Sequence, residues 1–442
     1  MFIGLKNKLK SFTRIKKLRP LEIFYEIGQR YGTLMTAYQV TLSSRERIRP
    51  DDVHLASLRK ASIDKELHDM THTPYDSSRG PLWRATFIET DSESKLPVPY
   101  LANEFPFQSQ FIFGIHHAIT DGYSNLKVLE FFVSILNQIL LKESIEDYQF
   151  GFFTSGIQSL DLLERRRAEL VSDPKQLEEI KEKVKEAFFN VNSLWLDSFG
   201  ENKDVINETL HISKRLSEVT SQKFLKKLKS FRISLNSGMC ALINVVLVEM
   251  MKEAGPERES YNIGTLHGVN MRQYWKDDYN IHLGLQIGMM RIFIDTSSKD
   301  PSDFWSYATR VNSILQAKVK SKWPLNEQIA QESFLNNDPE ELQDLFKNEN
   351  SPHTLLYTAS SLGNVNKLVK FEDEFVQWTT LSRTTSAHYL SCPLSFNFQV
   401  FRRLLCYSVE YVTRFVSEEV AHKILNNIAQ KISSLIDEES VA

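Results

Sequence analysis

The feature that most constrains this fold is a Phe-rich strand followed by a short loop and an amphipathic helix, in residues 109–140. Residues 109–117 (SQFIFGIHH) are rich in aromatic and branched side chains, which favours a β-strand. Ser124 is available to cap the helix that follows. On that helix, apolar residues recur at helical spacing at Leu129, Phe132, Val133, Leu136, Ile139 and Leu140. A strand that leads into an amphipathic helix is typical of an α/β fold, in which helices pack on a sheet.

The chain length predicts two domains. With 442 residues the chain is too long for one ordinary core, and two domains of roughly 200 residues each are expected. Residues 160–199 are charged, helical in pattern and interrupted near Pro174, which is typical of a surface connection. We therefore predict an N-terminal domain in residues 1–200 and a C-terminal domain in residues 201–442, each mixing sheet and helix. Residues 237–255 are nearly all apolar and predict a buried helix.

Composition argues against several classes of function. The formal net charge of -3 gives no overall attraction to nucleic acid, and the sequence contains no zinc-finger spacing or RNA-binding motif. Cys240, Cys392 and Cys406 form no Cys-x-x-Cys pair, so neither a disulfide framework nor a cysteine metal site is indicated. No apolar run of about 18 residues occurs, so we expect no membrane span. These features predict a cytoplasmic, monomeric protein that does not bind nucleic acid.

The N-terminal 20 residues, MFIGLKNKLKSFTRIKKLRP, are basic and contain no acidic residue. Their cations are Lys6, Lys8, Lys10, Arg14, Lys16, Lys17 and Arg19. The apolar stretch is too short and too interrupted for a signal peptide. Two interpretations stay open: a basic helix in peripheral contact with an anionic membrane, and a solvated arm packed against the body of the protein.

The residues that carry chemistry follow the Phe-rich strand, where the sequence reads HHAITDG from His116 to Gly122. A histidine has an ordinary pKa near 6.5, so at pH 7 it is largely neutral and able to take a proton from a hydroxyl or amine and later return it. Strand alternation predicts that His117 shares a face with Phe113 and Ile115, with His116 on the other face. Only one of the two histidines therefore lines a given cavity.

This motif resembles the His-His-x-x-x-Asp-Gly signature of the chloramphenicol acetyltransferase-like superfamily, which includes peptide-synthetase condensation domains, alcohol acetyltransferases, polyketide-associated acyltransferases and wax ester synthases. Residues 76–85 (DSSRGPLWRA) resemble the stretch that precedes the motif in those families. Residues 268–272 (GVNMR) resemble their segment after a strand that ends in Arg, and residues 360–363 (SSLG) resemble their Ser-Asn-x-Gly turn. Residues 393–442 resemble their closing hairpin and helix, so the likeness covers nearly the whole chain.

The resemblance implies two similarly folded α/β domains with an active-site channel between them. A thioester donor, either acyl-CoA as co-substrate or a carrier-bound acyl group, and an acceptor are implied to meet at His117. This residue is implied to act as the general base that deprotonates the acceptor, without a covalent acyl-enzyme. The reaction calls for neither a metal nor a bound cofactor.

The resemblance also implies residues that support the base. The carboxylate of Asp121 turns away from the histidine and pairs with an arginine, for which Arg272 is the first candidate and Arg84 the second. Asn270 lies beside Arg272 in the same segment, and Gly122 keeps the motif loop tight.

Two departures from the family pattern matter. Ser361 replaces the Asn of the Ser-Asn-x-Gly turn, which leaves the donors to an oxyanion open, and the Asp-Phe-Gly-Trp-Gly motif of the plant branch is absent.

We therefore expect an acyltransferase that forms an ester from an alcohol acceptor. Amide formation on an amine, as in condensation domains, is the alternative reaction. A non-catalytic binding or scaffold protein with the same fold is the alternative from another class, and a His-His pair satisfied within a core is the structural alternative.

One further histidine pair has the spacing of metal ligands. His68 and His72 are four residues apart and share a helix face. Because the sequence shows no third ligand, surface polarity explains them better, and no metal site is predicted. His388 is too isolated to assign.

Overall fold

The computed structural model describes residues 19–49, 63–89, 101, 103–145, 152–153, 157–275, 282–334, 344, 346, 355–390 and 392–437. Apart from Arg19, the cations of the basic N-terminal segment lie outside the described residues, so its contact with a membrane stays a prediction. The α-helices within the described ranges are α1 (Pro20–Arg30), α2 (Ile63–His72), α3 (Gly122–Leu140), α4 (Ile157–Val171), α5 (Pro174–Phe189), α6 (Leu194–Phe199), α7 (Glu218–Ser230), α8 (Leu235–Ala254), α9 (Phe304–Lys320), α10 (Trp323–Gln331) and α11 (Glu418–Asp437).

The strands form two main sheets and one short pair. They are β1 (Thr36–Ser44), β2 (Trp83–Glu89), β3 (Phe107–Ile115), β4 (Phe152–Phe153), β5 (Thr209–Arg215), β6 (Ser260–Asn270), β7 (His282–Leu283), β8 (Ile287–Ser297), β9 (Tyr357–Asn364), β10 (Val376–Thr385), β11 (Leu394–Phe401) and β12 (Leu404–Val412). The first sheet has the order β10-β1-β3-β2, and the second has the order β5-β12-β11-β9-β6-β8. Strands β4 and β7 form the short pair. The chain is therefore α/β, as predicted.

The first sheet is antiparallel throughout and packs against α3. Strand β3 turns Phe111 toward the helix, where its ring stacks on that of Phe132 with centroids 4.2 Å apart. Leu129 and Leu136 are also buried in this core, so the face predicted from helical spacing is the face that packs on the sheet. This packing holds the loop between β3 and α3 in place.

The second sheet is mixed. Strand β9 runs parallel to both of its neighbours, β11 and β6, and the other neighbouring pairs are antiparallel. Helix α8, predicted from its apolar composition to be buried, lies in the core on this sheet. The helix has one buried side-chain amide, that of Asn244. This amide donates to the Tyr307 hydroxyl at 2.8 Å and accepts from the Tyr357 hydroxyl at 2.7 Å, so both its nitrogen and its oxygen are hydrogen-bonded.

Helix α8 is, among the described residues, the one helix long and apolar enough to cross a membrane. Of its most apolar window, 78% is buried inside the protein. A helix of this composition is expected at the centre of a large core, and the burial accounts for its apolar surface.

One strand crosses between the predicted halves. Strand β10, from residues 376–385, pairs antiparallel with β1, so that Leu381 lies opposite Val40. The first sheet therefore draws its edge strand from beyond the predicted boundary at residue 200, and the division into two domains stays a prediction. Local periodicity predicts that a segment is a strand but not which sheet it joins.

The charged connection is helical and interrupted at Pro174, as predicted. Helix α4 ends at Val171 and α5 begins at Pro174, where Asp173 caps the new helix by accepting from the Gln176 amide. The apolar faces of these helices pack on α10 of the C-terminal half, with Leu170 and Leu325 among the contacts. The connection therefore ties the two halves together.

Candidate active site

The HHAITDG motif forms the junction between the first sheet and its helix. Strand β3 ends at Ile115, and α3 begins at Gly122. Asp121 is the N-cap of α3: its backbone is extended, and its Oδ1 accepts from the Ser124 amide at 2.9 Å. The expectation that Ser124 caps this helix is wrong, because Ser124 lies inside the first turn and supplies the donor.

The protonation of His117 is set by the backbone of the same loop. Nδ1 of His117 lies 2.8 Å from the carbonyl oxygen of Thr120. Since a carbonyl only accepts, Nδ1 carries the proton and Nε2 carries the lone pair. Nε2 has no hydrogen-bond partner among the described residues, so it is the nitrogen available to take a proton.

The ring of Tyr25, from α1, covers one face of His117. The two rings stack with centroids 4.1 Å apart and planes 21° apart. Burial lowers the pKa of His117 below its ordinary 6.5, while hydrogen bonds to backbone and the charge of Asp121 oppose that shift. A partly buried histidine with a pKa below 6.5 is largely neutral at pH 7, which is the form a general base needs.

His116 is held by Glu26, the residue that follows Tyr25 on α1. Nε2 of His116 lies 3.0 Å from a carboxylate oxygen of Glu26, and Nδ1 accepts from the Ala118 amide at 3.2 Å. The hydrogen bond from His116 lowers the pKa of Glu26 to about 2. Strand β3 ends at Ile115, immediately before the motif, so the predicted strand alternation does not extend to the two histidines. Both histidines contact α1.

The carboxylate of Asp121 pairs with Arg272. Nη1 of Arg272 donates to Oδ2 of Asp121 at 2.7 Å, and the Gln286 amide donates to the same oxygen at 2.8 Å. The two side chains are 0% and 1% exposed, so each charge depends on the other for stabilisation. Arg272, the first of the two arginines proposed as partners of Asp121, is therefore its partner in the structure.

The remaining donors of Arg272 are also satisfied. The guanidinium donates to the carbonyls of His282 and Gly284 and to the hydroxyl of Ser124. Oδ1 of Asn270 accepts from the Arg272 amide at 3.0 Å and from Nη1 at 3.3 Å. Asn270 therefore orients Arg272, which holds the C-terminal half against the first turn of α3.

Arg84, the second candidate, does not reach Asp121. It donates to the carbonyls of Thr73 and Pro74, and its guanidinium lies 4.2 Å from the centroid of the Tyr75 ring. Its role is to fasten β2 to the segment after α2.

The SSLG segment lies beside the motif as part of β9 rather than as a turn. The pairing of β9 with β11 shifts by one residue at Leu362, which is a β-bulge, and Gly363 takes a φ of +66°. The bulge brings Leu362 to Gly122: a Cβ built on this glycine would lie 2.9 Å from Cδ2 of Leu362. A larger residue at this position requires the Leu362 side chain to shift. The hydroxyl of Ser361 accepts from the Gly363 amide at 3.2 Å.

Solved structures of known proteins have the same architecture over nearly the whole chain. TRI3 trichothecene 15-O-acetyltransferase from Fusarium sporotrichioides matches with a TM-score of 0.64 at 10% identity, covering 94% of this chain and 95% of that one. The condensation domain of the monacolin K polyketide synthase MokA matches with a TM-score of 0.60 at 10% identity, over 94% and 96% of the two chains. Polyketide synthase associated protein 5 from Mycobacterium tuberculosis matches with a TM-score of 0.56 at 12% identity, over 94% and 97%.

The protein has the chloramphenicol acetyltransferase-like fold. No family model and no curated protein matches the sequence. At identities of 10–12% these structures establish the architecture alone, and the chemistry of the chain has to be argued from its own residues.

Within this chloramphenicol acetyltransferase-like fold, sequence reasoning missed a buried polar network next to the motif. The hydroxyl of Tyr38 of β1 lies close to the side chains of Asn125 of α3 and Arg383 of β10. Asn125 also accepts from the Thr120 hydroxyl at 2.8 Å. Arg383 donates to Ser360, so β1, β9, β10 and α3 all meet at this network. Nothing local in the sequence singles out these residues, since they are far apart along the chain.

Sequence reasoning also missed Tyr25 and Glu26. A helical pattern alone does not show which residues of another element a helix contacts. The one available signal was a polar residue, Glu26, next to the apolar face of an amphipathic helix.

A cavity of about 960 Å³ lies elsewhere, on the second sheet's side of the molecule. It is lined by residues of α7, α8 and α9 and of the connection between α7 and α8, among them Leu228, Arg232 and Lys320. None of these elements carries the motif, so this cavity is not the channel implied by the family resemblance, which stays a prediction.

Proposed function

We propose that the protein is an acyltransferase that moves an acyl group from a thioester, acyl-CoA being the first candidate, to an alcohol, with His117 as the general base. The single observation that carries this proposal is the geometry of His117. Its Nδ1 proton is committed to the Thr120 carbonyl, its pKa is lowered by burial, and its Nε2 is left to accept a proton.

The chemistry follows from that tautomer. Nε2 takes the hydroxyl proton as the alcohol oxygen attacks the thioester carbonyl, which forms a tetrahedral intermediate and an imidazolium. Collapse of the intermediate breaks the carbon–sulfur bond, and the departing thiolate takes the proton from Nε2. The products are an ester and a free thiol, the histidine is neutral again, and no covalent acyl-enzyme is needed.

Asp121 supports this mechanism from a distance. Both of its oxygens are engaged, one by the Ser124 amide and the other by Arg272 and the Gln286 amide. A carboxylate occupied in this way does not share a proton with His117. It holds the loop so that the imidazole keeps its position.

An alcohol acceptor is supported by the likeness to TRI3, which is described as a 15-O-acetyltransferase. Amide formation on an amine is the second candidate, and the likeness to condensation domains favours it. Both reactions use the same base, so substrates rather than residues separate them.

The test is thiol release from acyl-CoAs of increasing chain length, with pooled alcohols and pooled amines as separate acceptors. We expect release that depends on the alcohol pool and falls by about two to four orders of magnitude in His117→Ala, which is the usual contribution of a general base. His422→Ala is the matched control, because this histidine lies on the exposed surface of α11 and contacts only Glu418 within the described part of the chain.

The outcomes separate the alternatives. Full activity in His117→Ala rules out the mechanism, and release that depends on amines alone favours amide formation. No release from any acyl-CoA leaves a carrier-protein donor or a binding protein as the remaining functions. Circular dichroism of each variant checks that folding is unchanged.

A further inference from the structure

Three donor side chains from the two halves of the chain meet on the surface, in a cluster that acyl transfer does not use. His68 and His72 lie on α2, and Glu208 immediately precedes β5. The nearest ligand atoms of the three side chains all lie within 4.8 Å of one another. The sequence shows no third ligand for this histidine pair, whereas in the folded chain Glu208 lies beside both histidines.

His72 is oriented as a ligand requires. Its Nδ1 lies 2.8 Å from the His68 carbonyl oxygen, so Nδ1 carries the proton. Nε2 therefore carries the lone pair, and it now accepts a long hydrogen bond of 3.3 Å from the Thr209 amide. Histidines that bind metal commonly donate their other N–H to a backbone carbonyl in this way.

His68 is paired with the third donor. Its Nε2 lies 2.8 Å from a carboxylate oxygen of Glu208, and its Nδ1 lies 3.8 Å from a carboxylate oxygen of Asp69. Binding a metal at Nε2 requires the proton to leave that nitrogen. If it moves to Nδ1, Asp69 is beside it to accept a hydrogen bond.

The cluster is also held in position. The rings of His68 and His72 stack with centroids 3.9 Å apart, and His388 stacks on the other side of His72 at 5.2 Å. The backbone of Glu208 exchanges two hydrogen bonds with Thr413, each of 3.0 Å. The ligand atoms are therefore presented by two anchored elements.

We propose that His68, His72 and Glu208 bind a divalent transition metal, with zinc as the best match. Two imidazole nitrogens and one carboxylate are a common ligand set for zinc, and a water completes the tetrahedron. Donor atoms in such a site lie about 3.3 Å apart, so the ligand atoms, now within 4.8 Å of one another, have to converge, and the two stacked rings have to rotate until both lone pairs point at the ion.

The site is accessible and links the two halves of the chain. The side chains of His68 and Glu208 are 38% and 29% exposed, so a hydrated ion reaches them from solvent. A bound ion fastens α2, which packs on the first sheet, to the start of β5 in the second sheet. Its expected effect is to stabilise the contact between the sheets.

The test is direct zinc titration of the full-length, chelator-treated protein, in competition with a chromogenic chelator. We expect one zinc ion per chain, with affinity at least tenfold weaker in His68→Ala, His72→Ala and Glu208→Gln. His422→Ala, which removes an exposed histidine four residues from Glu418, is expected to bind zinc like the unaltered protein.

Thermal unfolding gives a readout that is independent of acyl transfer. Zinc is expected to raise the midpoint of the unaltered protein and of His422→Ala, because a ligand that binds only the folded state stabilises it, and to leave the midpoints of the three site variants unchanged. The proposal is overturned if no saturable binding occurs, or if binding and stabilisation persist in Glu208→Gln and His72→Ala. These outcomes do not depend on whether the protein transfers acyl groups.

Discussion

At the scale of single residues, the candidate site depends on where one proton lies. The Thr120 carbonyl holds the proton of His117 on Nδ1, and the ring of Tyr25 covers one face of the imidazole. Asp121 is directed to Arg272 rather than to the imidazole. The base is therefore prepared by a backbone carbonyl and by burial.

This preparation predicts a pH dependence. Because the pKa of His117 is lowered, protonation starts to remove the base only at a pH below its ordinary value of 6.5. We expect kcat/KM for acyl transfer to be near its full value above pH 7.5 with respect to this group and to fall tenfold per unit pH only below its folded pKa, which lies under 6.5. An acid limb centred above pH 6.5 would contradict the lowered pKa.

At the scale of elements, helix α1 connects the motif to the rest of the chain. Consecutive residues of this helix, Tyr25 and Glu26, contact His117 and His116. The N-cap of this helix, Arg19, forms an ion pair with Glu22 and donates to the Leu285 carbonyl at 2.6 Å. The backbone amide of Gln286, the residue after Leu285, donates to the carboxylate of Asp121. The position of α1 and the position of the motif are therefore coupled.

The covering role of α1 is tested by Tyr25→Ala. Removing the stacked ring admits water to His117, so its pKa is expected to rise toward 6.5, and the acid limb of kcat/KM moves to higher pH. Tyr25→Phe is the control, since it keeps the stacked ring. If the acid limb is the same in Tyr25→Ala and the unaltered protein, the tyrosine does not set the pKa of the base.

At the scale of the whole molecule, the two halves are joined by shared structure. Strand β10 brings Leu381 from the C-terminal half into the core of the first sheet, and α4 and α5 pack on α10. The buried pair of Asp121 and Arg272 adds a link across the halves. Neither sheet has a complete set of contacts without the other half of the chain.

This joining predicts a single cooperative unfolding transition. We expect far- and near-ultraviolet circular dichroism to give coincident thermal curves. Leu381→Ala is expected to destabilise the protein by about 2–5 kcal/mol and to move the whole transition, because it opens a cavity in the shared core. Val219→Ala is the control, since that side chain is 67% exposed. Two separate transitions, with only one shifted by Leu381→Ala, would show that the halves unfold independently.

Several features were predictable because they are local. The strand before the motif, the apolar face of α3, the break at Pro174 and the burial of α8 all follow from periodicity and residue type over a few turns. The family resemblance of the HHAITDG motif added Arg272 as the first partner for Asp121. The cap of α3 was assigned to Ser124 rather than Asp121 because boundaries of elements are weakly marked in sequence.

The sequence by itself determined the α/β class, the motif and the elements that flank it. Only the tertiary structure decided that β10 joins the first sheet, that Tyr25 covers His117, that Arg383 reaches the network behind the motif, and that Glu208 meets the histidines of α2. The physical reason is the range of the interactions. Helix and strand patterns arise between near neighbours, whereas these contacts join residues far apart along the chain, and neither partner carries a local pattern that identifies the other.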